Sequence, residues 1–251
     1  MSGTAGITIE AKAWDGDFFG FPVGAVDLPE GFAAVDVAGF YELLTSSGFR
    51  LVYIQSSVPV VREARDAFAV NGIEFYGGRI VYRKNLERVP ARTAGCNVAV
   101  DKSPRLEELA WMSGGHSRFM RDGRLRPFFR PMYSTWLSRE LDTGKVFVHL
   151  DEDVPVGMAT VTLGDRSPSG ILVGNIGLVA VDAANRGGGI ASRLLETVCT
   201  WLVEAGASEC EVVTQTDNLA ARSLYEKNGF CQMSETEIWH FWNPVYDRRD
   251  T

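Results

Sequence analysis

Apolar positions recur along the chain with two spacings, and the spacing changes at glycines and Asn-Gly pairs. Over residues 32–46, Val35, Phe40, Leu43 and Leu44 fall roughly on one side of a helix, and Gly48 lies just beyond its end. Residues 49–55 (FRLVYIQ) read as a strand. Helical spacing returns over residues 60–70 through Val60, Ala64, Ala67 and Phe68, and Asn71-Gly72 stops it. Residues 73–86 have strand composition, broken by Gly77-Gly78. A small α/β unit therefore ends near residue 90, and residues 89–95 (VPARTAG) read as a linker.

The second part follows the same logic. After an apolar run at 98–100, Ser103-Pro104 starts a helix running to Met112, with Glu107 and Glu108 in its first turns. Residues 132–141 form a second helix with Met132, Trp136 and Leu137 as apolar contacts. Strands are expected at 145–150 and 154–163, joined by Asp151-Glu152-Asp153, and at 172–181 after a turn at 165–170. A helix at 189–205, a strand at 209–214, a helix at 218–227 ending in Asn228-Gly229 and an aromatic strand at 231–242 complete the chain. No internal repeat is evident. The order implies an α/β (α+β) architecture in two domains, 1–92 and 93–251.

Composition narrows the function classes. The 251 residues are 45% hydrophobic with a formal net charge of -7, which argues against a general nucleic-acid binder. Cys96, Cys199, Cys210 and Cys231 are scattered, which predicts buried free thiols and no metal site or disulfide framework. The N-terminal MSGTAGITIEAKAWDGD has neither a basic head nor a long apolar stretch, and no run approaches the roughly 18 apolar residues of a spanning helix. A cytoplasmic protein without membrane insertion is the expectation.

Two segments carry candidate chemistry. In residues 179–191 (VAVDAANRGGGIA) a β-branched run gives way to Arg186-Gly187-Gly188-Gly189, directly before the stripe Ile190, Leu194, Val198 and Trp201. A strand feeding glycines into a helix start offers unpaired N–H groups at the positive end of a helix, which suits a pyrophosphate, and Arg186 adds a charged donor. The P-loop pattern is absent, and the GxGxxG fingerprint fails because residue 192 is serine. A ligand-free flexible turn is the alternative. In residues 218–230 (NLAARSLYEKNGF), Leu224 and Phe230 look like core. Tyr225 is either an ordinary half-buried tyrosine or a general acid, since a phenol keeps its proton at neutral pH.

Together these segments resemble the GNAT superfamily of N-acetyltransferases. Arg186–Ala191 fits the acetyl-CoA pattern Q/R-x-x-G-x-G/A, and Asn218, Tyr225 and Gly229-Phe230 fit its following segment. The resemblance implies a GNAT acyl-CoA N-acyltransferase fold, with a central mixed, splayed sheet preceded by the small α/β domain, and acetyl-CoA as acetyl donor. It places the pyrophosphate on the N–H groups of Gly187, Gly188, Gly189, Ile190 and Ala191. The pantetheine would pair with backbone near Val179 and Val181, Asn218 would touch it or steady the loop, and Tyr225 would protonate the departing thiolate. An N–H near Leu178 or Val179 would polarise the thioester carbonyl. A water relay ranks first for removing the amine's proton, followed by Glu209 or Glu211, with His240 as a further candidate or a structural histidine.

For the acceptor, residues 14–23 (WDGDFFGFPV), Ser117-Arg118-Phe119, Met132-Tyr133, Trp136 and His240 resemble the dTDP-fucosamine acetyltransferases within that superfamily. These are homodimers that acetylate a nucleotide-linked 4-amino-4,6-dideoxyhexose. Arg118, Arg121, Arg124, Arg126 and Arg130 crowd together and form either a diphosphate-binding patch or a solvated surface. Tyr133, Trp136 and His240 join Arg118 and Arg121 as candidate substrate residues. Alternatives are another small amine, such as an amino acid or natural-product intermediate, and a non-catalytic acetyl-CoA-binding module. A protein acceptor is disfavoured on the expectation that the N-terminal unit covers part of the acceptor side.

Overall fold

The computed structural model describes residues 6–86, 96–99, 101–166 and 170–247. In chain order its elements are β1 (Glu10–Ala11), α1 (Ala13–Phe19), β2 (Val23–Asp27), α2 (Val37–Ser46), β3 (Leu51–Ser56), α3 (Arg62–Val70) and β4 (Ile73–Asn85). Next come β5 (Asn97–Ala99), α4 (Pro104–Ser113), α5 (Arg118–Arg121), α6 (Arg126–Thr143), β6 (Lys145–Asp151), β7 (Val154–Arg166) and β8 (Leu172–Val181). The last are α7 (Ile190–Glu204), β9 (Glu209–Gln215), α8 (Leu219–Lys227), β10 (Cys231–Trp242) and α9 (Pro244–Asp247).

The chain divides into two compact units, Met1–Arg79 with Ser234–Thr251, and Ile80–Met233. The expected linker at 89–95 and boundary at 92 lie outside the described residues, as do Val100, residues 167–169 of the expected turn and residues 248–251. The first unit is discontinuous in sequence, since residues 234–242 of the C-terminal strand fall in it. Residues 237–242 of β10 pair antiparallel with β3, from Glu237 opposite Ser56 to Trp242 opposite Leu51.

In the first unit β1 pairs with β2 antiparallel and β2 with β3 parallel. Phe40, Leu44, Phe68, Ile54, Trp239 and Phe241 form its core between sheet and helices. The helical spacing of residues 60–70 thus marked the buried face of α3, where Ala64 and Phe68 are fully buried. Gly77-Gly78 does not break β4, although Gly77 takes a φ of 110°. Residues 13–19 form a helix that the sequence did not signal, closed by Gly20 at φ 77°. Trp14 is 49% exposed and stacks on Phe18, ring centroids 5.2 Å apart.

In the second unit the strand order is β4-β9-β8-β7-β6-β5. One face packs on α7 and α8 through Leu194, Val198, Leu202 and Phe230, and the other on α4 and α6 through Leu109, Phe129 and Leu137. Ser103 caps α4 by accepting from Leu106 N–H, as Ser-Pro predicts. Helix α6 begins at Arg126, earlier than its apolar stripe, because Pro127 stands in its first turn where its missing N–H costs nothing. Cys199 and Cys210 are buried free thiols as expected, whereas Cys96 is only partly buried and Cys231 is exposed. Among the described residues no helix is long and apolar enough to cross a membrane.

One plan occurs twice. Strands β2 and β3 are parallel, joined by α2, then followed by α3, Asn71-Gly72 and the long β4. Strands β8 and β9 are parallel, joined by α7, then followed by α8, Asn228-Gly229 and the long β10.

Candidate active site

The site is built around the point where β8 and β9 part. Their parallel pairing runs from Val173–Glu209 to Ile176–Val212 and ends there, while β8 continues to Val181 and β9 to Gln215. Beside this point β8 also slips against β7: Ala159 faces Val179 but Val161 faces Ile176, so Gly177 and Leu178 oppose Thr160 alone. This is a β-bulge. Leu178 N–H donates to Thr160 Oγ1 at 2.9 Å, and Asp182 N–H donates to Val156 O at 2.8 Å. Backbone groups alternate sides along a strand, so Leu178, Ala180 and Asp182 aim their N–H groups at β7. Val179 and Val181 therefore aim theirs into the opening beside β9. Of the two carbonyl-polarising donors expected from sequence, Leu178 is spent on Thr160 and Val179 is open.

From Val181 the chain enters the glycine turn. Asp182 accepts from Ala184 N–H and pairs with Arg105, which also donates to Pro155 O at 3.0 Å. The Arg105 guanidinium, helped by the Ala184 N–H, holds the Asp182 carboxyl below the usual carboxylate range. Gly187 and Gly189 take φ of 85° and 75°, left-handed values that disfavour side chains. Gly189 is the N-cap of α7 and offers no side-chain cap, so the first-turn N–H groups are open to an anion. Arg186 Nε donates to Val181 O and Arg193 Nη1 to Gly188 O, each at 3.0 Å.

These groups line a pocket of about 300 Å³, with Arg186, Gly187 and Gly189–Ser192 on one side and Ala220, Ser223, Leu224 and Lys227 of α8 on the other. Asn218 caps α8, its Oδ1 accepting from Ala221 N–H at 3.3 Å. Asn228, read in sequence only as a helix stop, also ties the two helices: its Nδ2 donates to Ser192 Oγ at 3.1 Å and to Leu224 O at 2.8 Å.

Tyr225 is 4% exposed, against the rings of Tyr82 and Phe230 at 5.8 Å each. Burial pushes its phenol above the ordinary tyrosine range, so it stays protonated. Glu209 and Glu211, the carboxylate candidates for a base, both pair with Arg83 of β4, Glu209 Oε2 at 3.2 Å and Glu211 Oε1 at 2.8 Å from its nitrogens. His240 belongs to the first unit, where it is fully buried against the rings of Tyr76 at 4.3 Å and Tyr53 at 5.1 Å. Its burial against two rings is compatible with the structural-histidine alternative.

The arginines of the run have different partners. Arg121 pairs with Asp217, Arg126 Nε donates to Met120 O at 3.1 Å, Arg130 lies 4.7 Å over the Trp111 ring, and Arg118 lies 4.7 Å over the Phe119 ring. Tyr133 is buried between Phe129 and Trp136, and burial raises its phenol. Trp136 Nε1 donates to Glu140 Oε1 at 2.8 Å. No cluster of metal-ligating side chains occurs among the described residues.

The family model described as Acetyltransferase (GNAT) family matches residues 113–230, which contain the glycine turn, the parted strands and α8. The chain carries a GNAT-family domain. The chain is similar to N-alpha-acetyltransferase 30 of Schizosaccharomyces pombe, 37% identical over 86 residues, or 34% of this chain and 57% of the relative. The chain spans about half the length of the curated relatives it matches. Two solved structures share the fold. A functionally unknown conserved protein from Staphylococcus epidermidis matches with TM-score 0.61 and 12% identity, over 88% of this chain and 85% of that one. A GCN5-related N-acetyltransferase from Sphaerobacter thermophilus matches with TM-score 0.52 and 18% identity, over 87% and 72%. The mixed central sheet and flanking helices are those of the GNAT acyl-CoA N-acyltransferase fold.

Proposed function

We propose that this chain is an acetyl-CoA-dependent N-acetyltransferase acting on the α-amine of an amino acid or peptide. The observation that carries the reading is the continuity of one groove. Open N–H groups of β8 lead directly into an uncapped helix start with Arg186 beside it. That sequence of donors suits a pantetheine arm followed by a pyrophosphate. The N–H groups of Gly187, Gly188, Gly189, Ile190 and Ala191 would hold the pyrophosphate, and Val179 and Val181 the arm. Lys227, lining the same pocket, adds positive charge.

Acetyl-CoA supplies an acyl group already activated as a thioester, so no covalent enzyme intermediate is needed. A neutral primary amine attacks the carbonyl carbon, the C–S bond breaks, and Tyr225 gives its phenolic proton to the sulfur. The amine's proton leaves through water, since Glu209 and Glu211 are paired with Arg83, and water returns a proton to the Tyr225 phenolate before the next turnover. The α-amine is favoured by the similarity to an N-alpha-acetyltransferase. The nucleotide-linked amino sugar has less support, because Arg121, Arg126 and Arg130 are each engaged within the protein.

Thiol release from acetyl-CoA, measured against amino acids, short peptides with free α-amines, polyamines and dTDP-linked 4-amino-4,6-dideoxyhexoses, tests the reading. Saturable turnover with α-amines supports it. Turnover confined to a nucleotide sugar would move the acceptor, and no turnover together with no acetyl-CoA binding would remove the activity.

A further inference from the structure

Behind the bulge of β8 lies a buried polar group that the proposed chemistry does not use. Glu140 of α6 is 6% exposed, and Thr160 is fully buried. The Glu140 carboxyl accepts from Trp136 Nε1 at 2.8 Å and from the Thr160 hydroxyl, and Thr160 Oγ1 in turn accepts the Leu178 N–H at 2.9 Å. Gly177 completes the cradle: a β-carbon there would stand 2.8 Å from both Glu140 Oε1 and Thr160 Oγ1. A carboxyl in the interior is costly to desolvate, and here burial pushes its titration up while the two donors pull it back. An apolar residue would fill the same volume without that cost, so the group has a different use.

That use follows from the direction of the hydrogen bonds. A threonine hydroxyl has one proton. Glu140 takes it, which turns the oxygen's lone pairs toward Leu178. The Leu178 N–H is then satisfied by a side chain instead of a β7 carbonyl, and two residues of β8 fit against one of β7. The extra residue sets which N–H groups beyond the bulge point into the opening beside β9.

We infer that Glu140 is a positioning residue, acting through Thr160 to fix the β8 bulge so that the Val179 N–H meets the thioester carbonyl of acetyl-CoA. The inference rests on the acetyl-CoA reading above and names the residues that make its carbonyl subsite.

The test compares acetyl-CoA with CoA, which lacks that carbonyl, by calorimetry on the full chain. Thr160→Val keeps the shape and removes the acceptor for Leu178. It is expected to weaken acetyl-CoA roughly fivefold while CoA changes less than twofold, the loss of about one neutral hydrogen bond. Thr160→Ser restores the preference. Glu140→Gln keeps an acceptor oxygen and retains it, whereas Glu140→Met does not. Equal weakening of both ligands, or an unchanged preference in Thr160→Val, overturns the inference while leaving the acetyl-CoA site intact. If Thr160→Val does not fold, the Glu140→Met and Glu140→Gln pair decides between the same outcomes. Wild-type protein that binds neither ligand overturns the acetyl-CoA reading itself.

Discussion

The Asn228 side-chain amide donates to the Ser192 hydroxyl across 3.1 Å, joining the end of α8 to the first turn of α7. The two helices form opposite walls of the glycine-turn pocket. Asn228→Ala removes this bond and the one to Leu224 O. It is expected to destabilise the protein by about 1–2 kcal/mol in urea unfolding, and to weaken acetyl-CoA binding severalfold. Unchanged affinity would show that the pocket does not depend on the tie.

Gly189→Val should be more severe. The residue sits at φ 75°, where a β-branched side chain adds strain of roughly 1–2 kcal/mol or more. The new side chain also stands at the mouth of the helix N-terminus. Calorimetry should find acetyl-CoA binding lost in a protein that still melts cooperatively.

Tyr225→Phe leaves the aromatic packing against Tyr82 and Phe230 in place. With the amine identified by the thiol-release panel, kcat should fall roughly a hundredfold or more while acetyl-CoA affinity stays within about twofold, in the range of one lost acid catalyst. Equal kcat would remove Tyr225 from the proton transfer.

Gly174 meets Leu202 of α7 where its own β-carbon would be, so the helix packs against bare backbone at that point. Gly174→Ala forces Leu202 or α7 to shift and should cost about 1–3 kcal/mol by urea unfolding. A neutral or stabilising result would mean the contact relaxes freely.

Asp182 links acid stability to the glycine turn. Its folded carboxyl titrates below the ordinary value because of Arg105. Its contribution is thus present above the unfolded pKa of about 4 and is lost as pH falls through the lower folded value. Asp182→Asn should melt below wild type at pH 7, and the gap should close in strong acid. A pH-independent gap would assign the effect to packing.

Much of this was legible because local backbone geometry demands particular residues. Left-handed φ at Gly187 and Gly189 needs glycine, and Asn228-Gly229 ends α8 as its sequence indicates. What stayed hidden was long-range. Clustered arginines say nothing about Asp217, which Arg121 finds 96 residues away. Nothing in the local sequence marks Glu140, whose partner Thr160 lies 20 residues on in another element. The doubled plan is faint in the sequence because its copies share few residues: Ala64 and Arg65 align with Ala221 and Arg222 ahead of the common Asn-Gly, but Phe68 stands where Tyr225 does.

The return of the C-terminal strand to the first unit has a bearing on synthesis. Residues 80–233 are made as an unbroken stretch, so everything the second unit needs has been synthesised once translation reaches Ser234. The first unit, begun earlier, must wait with β3 unpaired on one side until residues 237–242 arrive. The portion of the chain made first is thus the portion finished last, and its exposed strand edge is where a nascent-chain chaperone would have most to protect.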